Sequence, residues 1–199
     1  MKTKHFDSKD EWLDYRRGKI TGSVAKDIIS ERGGKKKGFY QMIADRIATP
    51  SDEENPMTRG NRLEAIAIDR FEIATGKKVD RSLIMWLRDD NDQIALSPDG
   101  VINDTEAVEV KCLNSASHIE AYITQAIPKE YLRQAYQYFV VNDKLQTLHY
   151  IMFDPRIKSL EFFTFTMKRE DVENEVQKQK IYLEQILLEV NEFVSNLTF

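Results

Sequence analysis

Helices, three strands, two helices, two strands and a long closing helix follow one another along the chain. This order predicts an α/β (α+β) fold with a central mixed β-sheet of about five strands flanked by helices. Three observations carry the prediction. In "NRLEAIAIDRFEIATG", residues 61–76, Leu63, Ile66, Ala67, Phe71 and Ala74 recur at the helical period, and Gly76 is a natural stop. The runs 78–87, 93–99 and 106–112 have strand character, and a turn near Asn103 and Asp104 joins the last two as part of an antiparallel meander. Two further strands, "LQTLHYIMFD" and "LEFFTFTM", surround "PRIK".

The remaining elements are helical. "DSKDEWLDYRRG" reads as a first helix capped by Asp7 or Ser8 and broken by Gly18. A second follows Thr21 and Ser23, and a third is "FYQMIADRIATP", ended near Pro50. Stretches 116–126 and 129–141 are helical, with Pro128 placed at the start of the second. From about residue 169 a long helix carries Leu183, Ile186, Leu187, Val190, Phe193, Val194 and Leu197 on one stripe. Its Leu183–Val190 portion is expected to pack on the chain's own sheet.

A length of 199 residues suits one domain, 1–199, with a core that needs no covalent staple. The single cysteine, Cys112, excludes a disulfide framework, a four-cysteine iron–sulfur cluster and a cysteine zinc site. His5, His118 and His149 lack metal-binding spacing and read as surface or half-buried side chains. The N-terminus has no apolar signal core, and no stretch approaches the roughly 20 apolar residues of a membrane span. A cytoplasmic protein without membrane contact is expected. Net charge is −4 but unevenly spread: residues 1–46 hold 12 Lys/Arg against 7 Asp/Glu, and the rest hold 17 against 26. A local positive field for phosphates can coexist with acidic outer faces.

The chemistry-bearing stretch is "LSPDGVINDTEAVEVKCL", residues 96–113. Residues two apart in a strand share a face, so Glu109 and Lys111 lie together, and the hairpin can bring Asp99 beside Glu109. Two converging carboxylates form a hard-oxygen site suited to Mg²⁺ or Mn²⁺, with Lys111 placed to orient water or stabilise charge on phosphoryl oxygens. A cross-strand salt bridge on a wet face fits the same residues. Glu-x-Lys alone recurs at about 0.4% of positions, so the pattern acquires meaning only with the preceding proline and the strand context.

Five blocks in order, "YRRGKITGSVAKDI", "TRGNRLEAIAIDRFEIATG", "SPDGVINDTEAVEVKC", "YLRQAYQYFVV" and "MFDPRIK", resemble the phage lambda-type 5′–3′ exonucleases of the PD-(D/E)xK nuclease superfamily. The resemblance covers nearly the whole chain. It implies the restriction-endonuclease-like fold, with Asp99, Glu109 and the Val110 carbonyl holding two Mg²⁺ ions, for which Mn²⁺ can substitute, and with Lys111 assisting the attacking water. It adds Glu64 and Gln134 to the catalytic set, where the residues alone fit an ordinary helix glutamate and glutamine. It assigns Arg16 and Ser23 to a 5′-phosphate pocket, for which an arginine fork and a hydroxyl at a helix N-terminus are chemically suited. The residues alone favour a salt-bridging arginine and a capping serine over such a pocket, and Arg17 competes with Arg16. Lys35, Lys36 and Lys37 read either as a solvated loop or as contacts to the DNA backbone.

The activity so implied is digestion of linear double-stranded DNA from its 5′ ends, giving 5′-mononucleotides and a 3′ overhang for recombination with a single-strand annealing protein. The acting form would be a homotrimeric ring in the host-cell cytoplasm. Another PD-(D/E)xK nuclease, endonucleolytic or RecB-like, and a catalytically inactive DNA-binding protein are the alternatives. The missing cysteines disfavour a Cas4-like enzyme.

Overall fold

The structure, a computed structural model, describes residues 8, 11, 35–49 and 56–197. The predicted second helix, with Ser23, lies outside them, as does Arg16 of the predicted first helix. Of the first helix, Ser8 and Glu11 are described, and the Ser8 hydroxyl accepts the Glu11 N–H at 3.1 Å. This is the expected cap.

The ordered elements are α1 (Lys37–Ile47), α2 (Pro56–Thr75), β1 (Trp86–Arg88), β2 (Asn91–Leu96), β3 (Gly100–Asn103), β4 (Glu106–Lys111), α3 (Ser115–Thr124), α4 (Lys129–Val141), β5 (Thr147–Phe153), a 3₁₀ turn (Lys158–Leu160), β6 (Phe162–Lys168) and α5 (Arg169–Leu197). They fall into two compact units. One holds residues up to Leu63 with Cys112–Ala126 and Phe153–Phe163; the other holds Glu64–Lys111, Ile127–Met152 and the chain from Thr164. Among the described residues no helix is long and apolar enough to cross a membrane.

In the first unit α1 packs on α3 through Tyr40, Ala44, Ala116 and Ile119, with Ile157 completing the cluster. Asn114 caps α3 by accepting the Ser117 N–H. His118, expected near the surface, is fully buried, and its Nε2 pairs with the Leu160 carbonyl at 2.8 Å. A polar cluster closes this unit. The Asp154 carboxylate, fully buried, accepts from Arg59 (2.9 Å), Arg156 (2.7 Å) and Ser115 (2.6 Å). Both arginines also donate to the Leu113 carbonyl.

The second unit contains the greater part of a mixed sheet ordered β3-β4-β5-β6, with β3 antiparallel and β5 parallel to β4. The expected meander is broken. Of the run 93–99, residues up to Leu96 belong to β2, which pairs with β1 as a separate two-stranded sheet; 97–99 lie in no strand, and β3 starts afresh at Gly100. Of the run 78–87, Trp86 and Leu87 fall in β1, and ahead of them only Asp80 pairs, through a bridge to Val101. The cause lies at Ser97-Pro98-Asp99, since proline cannot donate to a ladder. Gly100 has a separate reason to be glycine: a Cβ there would stand 2.3 Å from a Val79 methyl and 3.0 Å from one of Val108. This tight seat fixes Asp99 immediately ahead of β3.

Register places helices on opposite faces of this sheet. Val108 pairs with His149 and Glu109 with Tyr150, so alternate residues of β4 and β5 face opposite ways. Phe71 of α2 stacks on His149 at 5.3 Å, whereas Tyr138 of α4 reaches Glu109. The buried arc of α2 in this unit comprises Ala67, Ile68 and Phe71, while Ile66 and Ala74 are exposed, contrary to the sequence pattern. At about 100° per residue, Glu64 falls inside the Ala67–Ile68–Phe71 arc. Arg169 holds the C-terminus of α4 by donating to the carbonyls of Phe139 (2.9 Å) and Asn142 (2.7 Å). The stripe on α5 departs from expectation: Val176 and Gln179 are buried and Leu183 and Leu187 half-buried, but Ile186 and Val190 are exposed.

At the far end of β4, Lys77 and His149 both reach Glu106, Lys77 through a short contact and His149 at 2.9 Å. Their hydrogen bonds hold the Glu106 carboxyl down to about 2, against an ordinary 4.5. A depressed carboxyl stabilises the fold above its unfolded pKa, and the contribution fades as pH falls through the folded value. Glu106→Gln is therefore expected to lower stability at neutral pH by about 1 kcal/mol, a figure discounted for partial exposure. In urea titrations the difference from wild type should close between pH 4.5 and 2.

Candidate active site

Strand β4 supplies the centre of the site. Its pairing with β3 covers Glu106, Ala107 and Val108, so the same edge beyond Val108 is open. Asp99, held just ahead of β3, fills that edge with its side chain: Oδ2 accepts the Val110 N–H at 2.7 Å. In an extended strand the N–H and C=O of one residue point to the same edge, so the Val110 carbonyl projects on the side Asp99 occupies.

Glu109 is 1% exposed and committed through both oxygens. Lys111 donates to Oε1 at 2.6 Å and the Tyr138 hydroxyl to Oε2 at 2.5 Å. The Tyr138 oxygen also accepts the Asp99 N–H at 3.3 Å, so one phenol ties the backbone of one carboxylate residue to the side chain of the other. Lys111 lies over the Tyr131 ring, 5.1 Å from its centroid. Tyr131 and Tyr138 stand three residues before and four after Gln134 on α4, which places the half-buried Gln134 on the helix face turned toward Glu109 and Lys111.

The electrostatics follow from burial. Asp99 is raised by desolvation, against the lowering effects of the Val110 N–H and Lys111. Glu109 is pushed up to about 7, first by burial and then by the charge of Asp99. Glu64, half-buried on α2, is raised by burial and by Asp99, while Lys111 lowers it. Two adjacent carboxylates that resist ionising together, beside a backbone carbonyl, form a donor set that fits a hard divalent cation. Among the described residues no three His, Cys, Asp or Glu side chains converge as a ready-made cage. Such a cation, if held by the carboxylate pair, would take its other ligands from water and phosphate oxygens, the manner in which Mg²⁺ is usually held.

The structure brings together Asp99, Glu109, Val110 and Lys111, sets Glu64 within reach of their charges and turns Gln134 toward them. Arg16 and Ser23 lie outside the described residues. Lys35, Lys36 and Lys37 are exposed at the start of α1 in the other unit, Lys35 lying 4.6 Å from the Phe39 ring centroid. Tyr131 and Tyr138 were missed from sequence. Their signal was the spacing 131, 134, 138, which stacks an aromatic ring on each side of Gln134. The Asp154 cluster was missed too, although "MFDPRIK" contains two of its members.

A crystal structure of the alkaline exonuclease LHK-Exo from Laribacter hongkongensis is similar at 25% identity and a TM-score of 0.57, covering 96% of this chain and 100% of that one. LHK-Exo in complex with dAMP aligns with a TM-score of 0.61 at 24% identity, over 95% of this chain and 98% of that one. The fold is accordingly the PD-(D/E)xK-like fold of an alkaline exonuclease. The uncharacterized protein YqaJ of Bacillus subtilis (strain 168) is 28% identical over 137 residues, 67% of this chain and 42% of that protein, so the chain matches less than half of that relative's length. Residues 11–144 match the YqaJ-like viral recombinase domain, and the chain belongs to that family.

Proposed function

We propose that the chain is a Mg²⁺-dependent exonuclease that degrades one strand of linear duplex DNA from the 5′ end and leaves a 3′ overhang for a single-strand annealing protein. Family membership and the alkaline-exonuclease fold support a nuclease role. The observation that carries the reading is the pairing of half-buried Asp99 with buried Glu109, with Lys111 on the strand face of Glu109. Asp99, Glu109 and the Val110 carbonyl would hold two Mg²⁺ ions, or Mn²⁺ in their place. When bound, these cations supply activation of water near neutral pH and neutralisation of phosphate charge.

The remaining steps belong to the protein. Tyr138 and the Val110 N–H fix both carboxylates before substrate arrives, and Lys111, the one cationic side chain on the strand face of Glu109, stabilises charge on the phosphoryl oxygens. A water oxygen bonds to phosphorus as the P–O3′ bond breaks. The leaving 3′ oxygen takes a proton, releasing a 5′-mononucleotide. The shortened strand carries a new 5′-phosphate, the group that Arg16 and Ser23 are proposed to hold.

Labelled linear and circular duplexes, with and without Mg²⁺, test the proposal. Linear DNA bearing a 5′-phosphate should be digested from that end, 5′-hydroxyl ends more slowly, and circles not at all. Arg16→Ala should reduce the preference for phosphate. Cleavage of circles would establish an endonuclease, and no cleavage of any substrate would leave only a DNA-binding protein.

Assembly is part of the same proposal. Three copies would close head-to-tail into a ring around the duplex. Exposed Leu83, Met85 and Leu87 offer apolar surface for such a contact. Light scattering after size exclusion should give a mass near three chains; a monomer at micromolar concentration would remove the ring and leave the chemistry.

A further inference from the structure

Two buried phenols border the carboxylate pair, and their circumstances differ. Tyr138 is fully satisfied by Asp99, Glu109 and Val108. Tyr150, equally buried, has a hydroxyl without a hydrogen-bond partner among the described residues. Parallel pairing of β4 with β5 sets Tyr150 opposite Glu109, so the two side chains leave the sheet on one face. The charges of Glu109 and Asp99 reach the phenol, as do Tyr131 and Glu130 from the first turn of α4. Burial and these carboxylates keep it protonated, which makes it a donor without an acceptor.

A buried donor of this kind costs stability and is rarely kept without a use. Lys111 and Tyr138 each occupy one oxygen of Glu109, and each oxygen retains a second acceptor direction. We propose that Tyr150 is a positioning residue of the nuclease site: its hydroxyl donates to a water that in turn donates to Glu109, fixing that carboxylate in its working rotamer. The inference rests on the proposed nuclease reading. Tyr150 touches neither substrate nor reacting atoms.

Tyr150→Phe removes the hydroxyl and nothing else. Hydrogen-bonded supports of metal-site ligands typically alter affinity or turnover by about 10- to 100-fold. The variant should accordingly lose kcat on linear duplex by roughly that factor with KM unchanged, and bind Mn²⁺ more weakly by calorimetry without DNA. Its melting temperature should stay near that of wild type, because the bridging water regains its hydrogen bonds in bulk solvent. Tyr138→Phe, by contrast, should lose both stability and turnover, because its hydroxyl abandons direct bonds to the protein. An active wild type with an equally active Tyr150→Phe would overturn the inference alone. A fall in melting temperature parallel to the fall in kcat would overturn it too, by making the hydroxyl a structural group. A wild type inert on every DNA would sink the nuclease reading and this inference with it.

Discussion

Asp99→Asn is expected to bring hydrolysis of linear duplex DNA to background while the protein melts no lower than wild type. The asparagine keeps an oxygen for the Val110 N–H, so the link between β4 and the start of β3 survives. What disappears is one of two adjacent charges, the half-buried partner of the buried Glu109. Because Asp99 raises Glu109 toward neutrality, its removal relieves the fold at the same time as it empties the site of chemistry. Loss of activity with unchanged or increased stability is the signature of a functional charge. DNA binding, followed by fluorescence anisotropy, should persist. Near wild-type turnover in purified Asp99→Asn would refute the assignment of the metal pair. Lys111→Ala should cost roughly two to four decades of rate, the range of a positioned catalytic group.

The largest effect on stability is expected at Asp154, far in function from cleavage. Burial raises this carboxyl, but hydrogen bonds from Arg156 and Ser115 outweigh it and hold the group below its ordinary value. Asp154→Ala would leave Arg59 and Arg156, both largely buried, without their counter-charge. Removing one partner of a buried ion cluster costs about 3–5 kcal/mol. Asp154→Asn retains acceptors and should cost less. Chemical denaturation at pH 7 checks both. The sign of the pH effect follows from the depressed carboxyl: its contribution is complete above the ordinary aspartate range and is lost as pH falls below it. A midpoint for Asp154→Ala within 0.5 kcal/mol of wild type, roughly the scatter of an ordinary surface substitution, would show that the arginines find other partners.

Legibility in the sequence followed the range of the interactions. Local signals held: the Ser8 cap, the Gly76 stop, the proline ahead of α4 and the turn at Asn103 and Asp104 all have their expected places. The carboxylates were legible because strand alternation and one hairpin suffice to bring them together. What failed was set by distant partners. Ile66 and Ile68 differ little as sequence, yet only Ile68 falls in the buried arc, since the rotation of α2 is decided by what Phe71 meets on β5. The end of the predicted run 93–99 at Leu96 and the start of a separate strand at Gly100 depend on where Val79 and Val108 close upon that glycine. His118 reads as an ordinary polar residue until the Leu160 carbonyl, from far along the chain, supplies its partner. Tyr138 belongs to the same class, because hydrogen bonds to β4 and to Asp99 leave no periodic trace.

The parallel pairing of β4 with β5 has a consequence for biosynthesis. Strands joined in parallel need a crossover, and here Glu106 finds its partner at Thr147 only after α3 and α4 have been made. Closing a loop of that length precedes any reward from the contact, which places the step among the slower ones of folding. A nascent chain that has emerged only through Lys111 therefore carries the aspartate, glutamate and lysine but lacks Tyr138, which binds Glu109, and β5, on which β4 rests. Truncated or prematurely released products should be inert toward DNA, and competence to cut should arrive in one late step, when the second half of the sheet docks.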